Sequence, residues 1–285
     1  MKIAILGSTG LLGSNLLKEG KKRNLNITGF SRSNKKNNFE FSTIKDFFQS
    51  LDRLKPEIII NAIGVIDIDI CENRPKYAAN INSLFVKYLS IYTKKKKIRF
   101  IQVSTDHFFL NKKKNLENEK IKIVNVYSKT KFQAEKFTKL NKNHIIIRTN
   151  FTGFRKKKKK TFVDWIIECC LKKKRLNLFD DFYCSTIDVM TLSKIIFDLL
   201  KTNFTGTINI ASSSVSSKKE FAEKFIKKSG FKMPIIYVTS VKSLKTRRAN
   251  NLGLDVSLIE KIIKKKMPDL NKVINNLCKE YKNEF

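Results

Sequence analysis

The chain begins with an apolar run, Ile3–Leu6, that passes directly into Gly7-Ser8-Thr9-Gly10-Leu11-Leu12-Gly13 and then into residues of helical period. Few local patterns constrain a fold as strongly. Glycines at this spacing permit a tight turn, let backbone N–H groups approach a pyrophosphate and allow the following helix to pack closely on the strand, while the helix N-terminus favours negative charge. A glycine triplet alone is weak evidence, and a merely structural turn is the competing reading. Its position between a first strand and a first helix favours a dinucleotide-binding unit, with Gly7, Thr9, Gly10, Leu11, Leu12 and Gly13 as the residues against the phosphates.

Further apolar runs rich in Ile and Val recur at Ile27–Phe30, Glu57–Asn61, Phe100–Val103 and His144–Arg148, separated by helical stretches at Leu11–Glu19, Ile44–Leu54, Pro75–Thr93 and Val126–Leu140. Proline at a first-turn position opens the third helix. Strands alternating with helices predict an α/β fold, a Rossmann-type doubly wound parallel sheet covered on both faces. After about residue 150 the pattern loosens into a helix at Thr161–Leu171, a strand at Leu176–Phe179, a helix at Val189–Lys201, a strand at Gly206–Ala211 and a helix at Ser217–Ser229. The expected organisation is a dinucleotide-binding domain over 1–150 and, over 151–285, mainly a smaller mixed α/β substrate-binding lobe interleaved with it. Leu110–Lys122 and the basic stretch Arg155–Lys160 read as loops, and no element is assigned beyond Ser229.

In NAD-selective sites an acidic residue usually ends the second strand and takes the ribose hydroxyls. Here Ser31-Arg32 stands at that place, with Lys35 and Lys36 nearby. A guanidinium suits a ribose 2′-phosphate, so NADP(H) is favoured, with NAD(H) as the alternative.

The formal net charge of +34 would ordinarily point to a polyanionic partner. The lysine runs at 94–97, 112–114, 156–160, 172–174 and 264–266 are instead scattered along the chain, each where a helix end or loop would be solvated. Inflation of Lys, Asn, Ile and Phe together marks an AT-rich coding sequence, so solvated surface is the preferred reading and no specific nucleic-acid partner is expected. The five cysteines form no CxxC pair and only two histidines could join them, which argues against a metal site or a disulfide framework. No run approaches a membrane span or a signal h-region, and a cytoplasmic protein is expected.

Tyr127 and Lys131 form a Tyr-x-x-x-Lys pair on one face of a predicted helix, following a strand that ends in Val103-Ser104-Thr105-Asp106. A phenol of ordinary pKa near 10 delivers a proton to a forming alkoxide only if its own anion is stabilised, which a neighbouring ammonium achieves. A hydroxyl from Thr105 or Ser104 would polarise the carbonyl. In a lysine-rich chain such a pair also arises by chance, and Tyr92 with Lys96 is a second, at the lysine-rich end of its helix.

Gly7-x-x-Gly10-x-x-Gly13, Pro56-Glu57-Ile58-Ile59-Ile60-Asn61-Ala62, Ser104-Thr105-Asp106, Tyr127-Ser128-Lys129-Thr130-Lys131 with Ala134-Glu135, Arg148-Thr149, Asp180-Asp181 and Leu254-Asp255 together resemble the extended short-chain dehydrogenase/reductase superfamily. Within it the chain is similar, nearly end to end, to the dTDP-4-dehydrorhamnose reductase family. The resemblance implies NADPH-dependent reduction of the 4-keto group of a nucleotide-linked deoxysugar, in surface-polysaccharide precursor synthesis. It implies Tyr127 as proton donor, Lys131 as its partner and ribose ligand, and Thr105 as the polarising hydroxyl. Ala62, Ile63 and Gly64 would line the cofactor, Ser31, Arg32, Glu40 and Phe41 would lie toward its adenosine end, and Ser104, Thr105, Asp106 and Phe151 would meet the substrate. The sequence departs from the family at Asn61-Ala62-Ile63-Gly64, which replaces a run of alanines, at Phe151, where a tryptophan is common, and at Asp180–Thr186, which lacks a proline.

Several other readings compete. A Ser-His-Asp hydrolase around His107 lacks a Gly-x-Ser-x-Gly elbow. Asp67 and Asp69, alternating with isoleucines, read as a loop wall or exposed strand face in preference to a metal site. An epimerase or dehydratase of the same superfamily shares the fold, and some similar proteins bind the dinucleotide as catalytically silent regulatory subunits. The expected partner is a sugar-nucleotide substrate, with no membrane and no specific nucleic acid; a homodimer is left open.

Overall fold

The computed structural model describes residues 1–31, 44–110, 114–155 and 160–284. In chain order the elements are β1 (Lys2–Leu6), α1 (Leu11–Lys22), β2 (Asn26–Phe30), α2 (Ile44–Leu54), β3 (Ile58–Asn61), α3 (Ile68–Asn73), α4 (Pro75–Ala79), a π-helical stretch (Asn80–Leu84), α5 (Phe85–Lys95), β4 (Arg99–Val103), α6 (Val126–Thr138) and β5 (His144–Arg148). There follow β6 (Phe151–Thr152), α7 (Phe162–Leu171), β7 (Leu176–Phe179), β8 (Tyr183–Cys184), β9 (Ile187–Asp188), α8 (Val189–Leu200), β10 (Gly206–Asn209), β11 (Ser216–Ser217), α9 (Lys218–Ser229), β12 (Ile236–Thr239), β13 (Asn251–Leu252), α10 (Ser257–Ile263) and α11 (Leu270–Glu284).

Six strands form one sheet in the order β10-β5-β4-β3-β1-β2. The pairs β1/β2, β1/β3, β3/β4 and β4/β5 are parallel, with Leu6 opposite both Phe30 and Asn61. Every residue of β3 is buried, as expected of a strand covered on both faces, and this is why Ile58-Ile59-Ile60 shows no alternation. Strand order reverses between β1 and β3, the place where the carboxyl ends of an open α/β sheet leave a crevice. On one face of the sheet, Phe47 and Leu51 of α2 and Phe85 and Leu89 of α5 pack with Leu6, Phe30, Ile59 and Phe100. Phe47 meets Phe30 edge-on at 5.9 Å and Phe85 at 5.6 Å.

The chain divides into two compact units. The first contains residues 1–104, 126–147 and 193–208, and the second 105–125, 148–192 and 209–285. The second unit is built on short strands: β8 is flanked by antiparallel β11 and parallel β13, β7 pairs with β12, and β6 with β9. Phe182, Cys184, Val241, Ala249 and Leu252 form an apolar cluster there. Buried Asn115 donates to the Gly253 carbonyl at 2.7 Å, and buried Asn209 to those of Asn115 and Asp255 at 3.0 Å, closing backbone groups that two-residue strands leave open.

Three sequence expectations change. The single helix expected over Pro75–Thr93 is interrupted by the π-helical stretch Asn80–Leu84, which turns the Asn82 side chain into the interior. Asp67 and Asp69 do not lie on a strand or loop wall: Asp67 caps α3 by accepting from the Ile70 N–H at 3.1 Å, so the alternation with isoleucine is a helix start. An additional amphipathic helix, α11, closes the chain and buries Leu270, Val273, Ile274, Leu277 and Cys278.

The described lysines of the runs at 94–97, 172–174 and 264–266 are exposed and lie at helix C-termini, where they complement the helix dipole. Lys97, Lys173 and Lys264 adopt left-handed φ of 55°, 50° and 53°, the C-terminal position that glycine usually fills. Among the described residues no helix is long and apolar enough to cross a membrane.

Candidate active site

The turn after β1 is held by two backbone bonds, from the N–H groups of Gly7 and Ser8 to the Phe30 carbonyl, and closed by Gly10 N–H to the Gly7 carbonyl at 2.9 Å. Gly7 has φ +82°, and a Cβ on Gly13 would stand 2.1 Å from the Gly7 oxygen. Both positions therefore require glycine, one for its dihedral and one for close helix-to-strand approach. Gly10 is the N-cap of α1 and brings no side chain to its first-turn N–H groups, and no acidic residue lies in that turn. Thr9, Leu11 and Leu12 complete a cradle whose chemistry fits a pyrophosphate. Buried Ser31 follows the end of β2, while Arg32, Glu40 and Phe41 lie outside the described residues.

The segment after β3 forms the opposite wall, since Gly7 approaches Ala62 and Ile63 so closely that a Cβ would stand 3.1 Å from the Ala62 backbone. Asn61 explains its own place in the sequence. Its Nδ2 donates to buried Gln102 and its Oδ1 accepts from the Ile63 N–H, which bends the chain out of the strand. Asn82 then clamps the next turn, accepting from the Val65 N–H at 2.8 Å and donating to the Val65 carbonyl at 3.0 Å and to Thr130 at 3.2 Å. Sequence reasoning passes over Asn82, because a polar residue in a helical pattern normally reads as solvated face. Only the π-helical register turns it inward.

On α6, Tyr127 and Lys131 are both buried, at 7% and 5% exposure, in a region where lysine is rarely found without purpose. The Tyr127 ring packs with Ile68, Cys71 and Ala78. Lys131 Nζ donates to the Val103 carbonyl at the end of β4 at 2.7 Å, and a Cβ on Gly64 would lie 4.0 Å from it. Burial pushes the Lys131 ammonium down to about 8, against the opposing pull of Glu135 and Cys71. Burial pushes the neighbouring Cys71 thiol up to about 11, with Asp67 and Glu72 adding to the shift, so this cysteine is a packing residue.

Ser104 faces inward: its hydroxyl donates to buried Glu135 at 2.6 Å, which commits it to holding β4 against α6. Its hydroxyl is therefore engaged with a carboxylate, and not with the imidazole that a Ser-His-Asp hydrolase would need. In the second unit, Thr105 Oγ1 accepts from the His107 N–H at 3.2 Å and makes only a long contact, 3.4 Å, to Asp106. Burial pushes the Asp106 carboxyl up to about 7, while Lys218, Asn150 and Thr105 pull the other way. Burial, reinforced by Lys218 and Arg248, pushes His107 down to about 3, so the imidazole 3.9 Å from Asp106 is neutral and the contact is not an ion pair. Half-buried Phe151 sits on β6 opposite Ile187.

The second Tyr-x-x-x-Lys pair is of another kind. Tyr92 donates to Asp52 at 3.0 Å and Lys96 bridges to the same carboxylate at 2.7 Å, joining α5 to α2 at the surface. Burial and the Asp52 contact push the Tyr92 phenol upward, the wrong direction for proton exchange near neutrality. Tyr92→Phe is expected to leave turnover within twofold and to cost about 0.5–1 kcal/mol of stability for one half-exposed hydrogen bond, measurable by denaturant melts. A tenfold loss of turnover in that variant would move the chemistry to this pair.

Comparison with known proteins places these residues in context. A spore coat polysaccharide biosynthesis protein, SpsK, of Bacillus subtilis is 22% identical over 242 residues, covering 84% of this chain and 83% of that protein. A probable low-salt glycan biosynthesis reductase, Agl14, of Haloferax volcanii is 23% identical over 270 residues, covering 90% of each. The crystal structure of dTDP-4-dehydrorhamnose reductase from Bacillus anthracis in complex with NADP superposes with a TM-score of 0.89 at 22% identity, over 98% of this chain and 100% of that one, which is a likeness of fold. The model of the RmlD substrate binding domain family matches residues 1–283, and the chain belongs to that family.

Proposed function

We propose that this protein is an NAD(P)H-dependent reductase of the keto group of a sugar nucleotide, with NADPH as the preferred cofactor and a 4-keto deoxysugar of the dTDP-4-dehydrorhamnose type as substrate. The observation that carries the reading is a buried tyrosine and a buried lysine one turn apart on α6, with the ammonium anchored to the β4 carbonyl beside the Gly64 turn. Burying a lysine without a fully compensating carboxylate is costly, and work on a bound ligand would account for one at this position. Membership in the RmlD substrate binding domain family supports the same reading.

A bound nicotinamide dinucleotide supplies the hydride. Backbone N–H groups of the Gly7–Gly13 turn hold its pyrophosphate, and Lys131 offers its ammonium to the ribose hydroxyls while stabilising negative charge on the Tyr127 oxygen. Tyr127 delivers its proton to the substrate oxygen as negative charge develops there. By the family resemblance Thr105, whose hydroxyl makes only a long contact to Asp106, is the hydroxyl proposed to polarise the carbonyl. Asp106, whose carboxyl burial pushes upward, is proposed to hydrogen-bond a sugar hydroxyl.

The test is oxidation of NADPH, followed by absorbance, against a panel of 4-keto sugar nucleotides. Saturable oxidation with one of them is expected. Tight NADPH binding with no oxidation across the panel would replace this reading with that of a regulatory subunit. Cofactor preference has its own check. Because Arg32 follows β2 where NAD-selective sites carry an acid, Arg32→Ala is expected to erode the preference for NADPH over NADH by about 1–3 kcal/mol, measured as the ratio of the two dissociation constants. Equal affinities in the unmodified protein would remove the basis for NADP selectivity.

A further inference from the structure

Tyr127 is the second residue of α6, so the position of its phenol depends on how the first turn of that helix is held. First-turn N–H groups have no partner within their own helix and must find an acceptor elsewhere. The Val126 N–H finds one on a distant element: it donates to Glu72 Oε1, on α3, at 2.6 Å, across a sequence separation of 54 residues. The bond is short, as expected of a carboxylate acceptor, and a negative charge at a helix N-terminus is favoured by the dipole.

The same six-residue helix touches Tyr127 a second way. Cys71, next to Glu72, and Ile68 pack with the Tyr127 ring, together with Ala78 of α4. α3 is itself fixed at both ends, by the Asp67 cap on the Ile70 N–H and by the Arg74 N–H donated to the Ile70 carbonyl at 2.9 Å. Further along α6, Thr130, Lys131 and Glu135 are bonded to Asn82, Val103 and Ser104, and the Glu72 bond adds a directional contact at the first turn itself, next to Tyr127.

We infer that Glu72 is a positioning residue for the proton donor, fixing the register of the first turn of α6 and thereby the reach of the Tyr127 oxygen. The inference rests on the reading of Tyr127 as that donor. The acceptor oxygen is what matters, so a glutamine at this position keeps the function and an alanine loses it.

The experiment compares Glu72→Ala, Glu72→Gln and the control Tyr92→Phe in the full chain by two readouts. One is hydrogen exchange at the Val126 amide, and the other is kcat and KM on the keto-sugar nucleotide that the unmodified chain reduces. In Glu72→Ala the Val126 amide is expected to exchange about tenfold faster, with kcat down about 10-fold to 100-fold, KM within twofold, and NADPH affinity by fluorescence unchanged. Glu72→Gln is expected to recover most of both. Faster exchange with unchanged kcat would overturn the inference, leaving the cap as a stabilising contact only. Unchanged exchange, or a glutamine variant as poor as the alanine one, would overturn it also. These failures require an active unmodified chain; if that chain reduces no keto-sugar nucleotide, the reductase reading itself fails.

Discussion

Tyr127→Phe is expected to lower the turnover number by about 10²- to 10⁴-fold, the span of general acid catalysis, with NADPH affinity nearly unchanged. The substitution keeps the ring that packs with Ile68, Cys71 and Ala78, so the protein should remain folded and the loss should appear in kcat and kcat/KM together. An interaction made chiefly in the transition state behaves in that way. Far-ultraviolet circular dichroism and a melting curve establish folding, and single-turnover oxidation of NADPH isolates the chemical step. Near-normal turnover in the phenylalanine variant would show that another group donates the proton.

Lys131→Met is expected to separate activity from stability. Activity and dinucleotide affinity should both fall, because the ammonium is proposed to serve the ribose and the phenol together. Stability should rise. The ammonium is buried and held at about 8 against an ordinary 10.5, so the folded state disfavours the charge. At about 1.36 kcal/mol per pKa unit the penalty below pH 8 is on the order of 3 kcal/mol, an upper bound for the gain. Removing the ammonium does not orphan its acceptor, since Gln102 Nε2 also donates to the Val103 carbonyl at 2.8 Å. The sign with pH follows from proton counts. Between about pH 8 and pH 10.5 the unfolded chain holds a proton that the folded chain has lost, so stability rises with pH across that window and the rise disappears in the methionine variant. Turnover of the unmodified protein is expected to move oppositely, falling as pH rises past about 8 when the ammonium is neutralised. A methionine variant that melts lower than the unmodified protein at pH 7 would show that the ammonium stabilises the fold.

What could be read in advance depended on the range of the interaction that fixes each feature. The five strands of the first half, the glycine turn and the helices that follow are legible because apolar period, φ requirements and breaker residues act between near neighbours in sequence. Ile58-Ile59-Ile60 reads as a strand buried on both faces by itself, and β3 is such a strand. The strands β6, β8, β9, β11 and β13 are two residues each, too short to carry a period, and exist because a partner from elsewhere in the chain pairs with them. The helix α11 is a different case: Leu270, Val273, Ile274, Leu277 and Cys278 carry a clear helical period, and the signal was present but masked by the surrounding lysines and asparagines.

The same division runs through the candidate site. Sequence alone determined which residue types stand at chemically meaningful spacings: Gly7, Gly10 and Gly13 in one turn, and Tyr127 with Lys131 on one helix face. It could not distinguish the Tyr127–Lys131 pair from Tyr92–Lys96 by chemistry, because the difference lies in surroundings. One lysine is buried against a strand carbonyl and the other bridges to Asp52 at the surface. Nor could it tell that Ser104 turns inward to Glu135, 31 residues on, that Asn82 clamps Val65, 17 residues before it, or that Glu72 caps α6 from 54 residues away. A backbone dihedral or a helical repeat is dictated by the residue and its neighbours. The partner of a side-chain hydrogen bond is dictated by which elements the whole fold brings together, and the tertiary structure alone decides that.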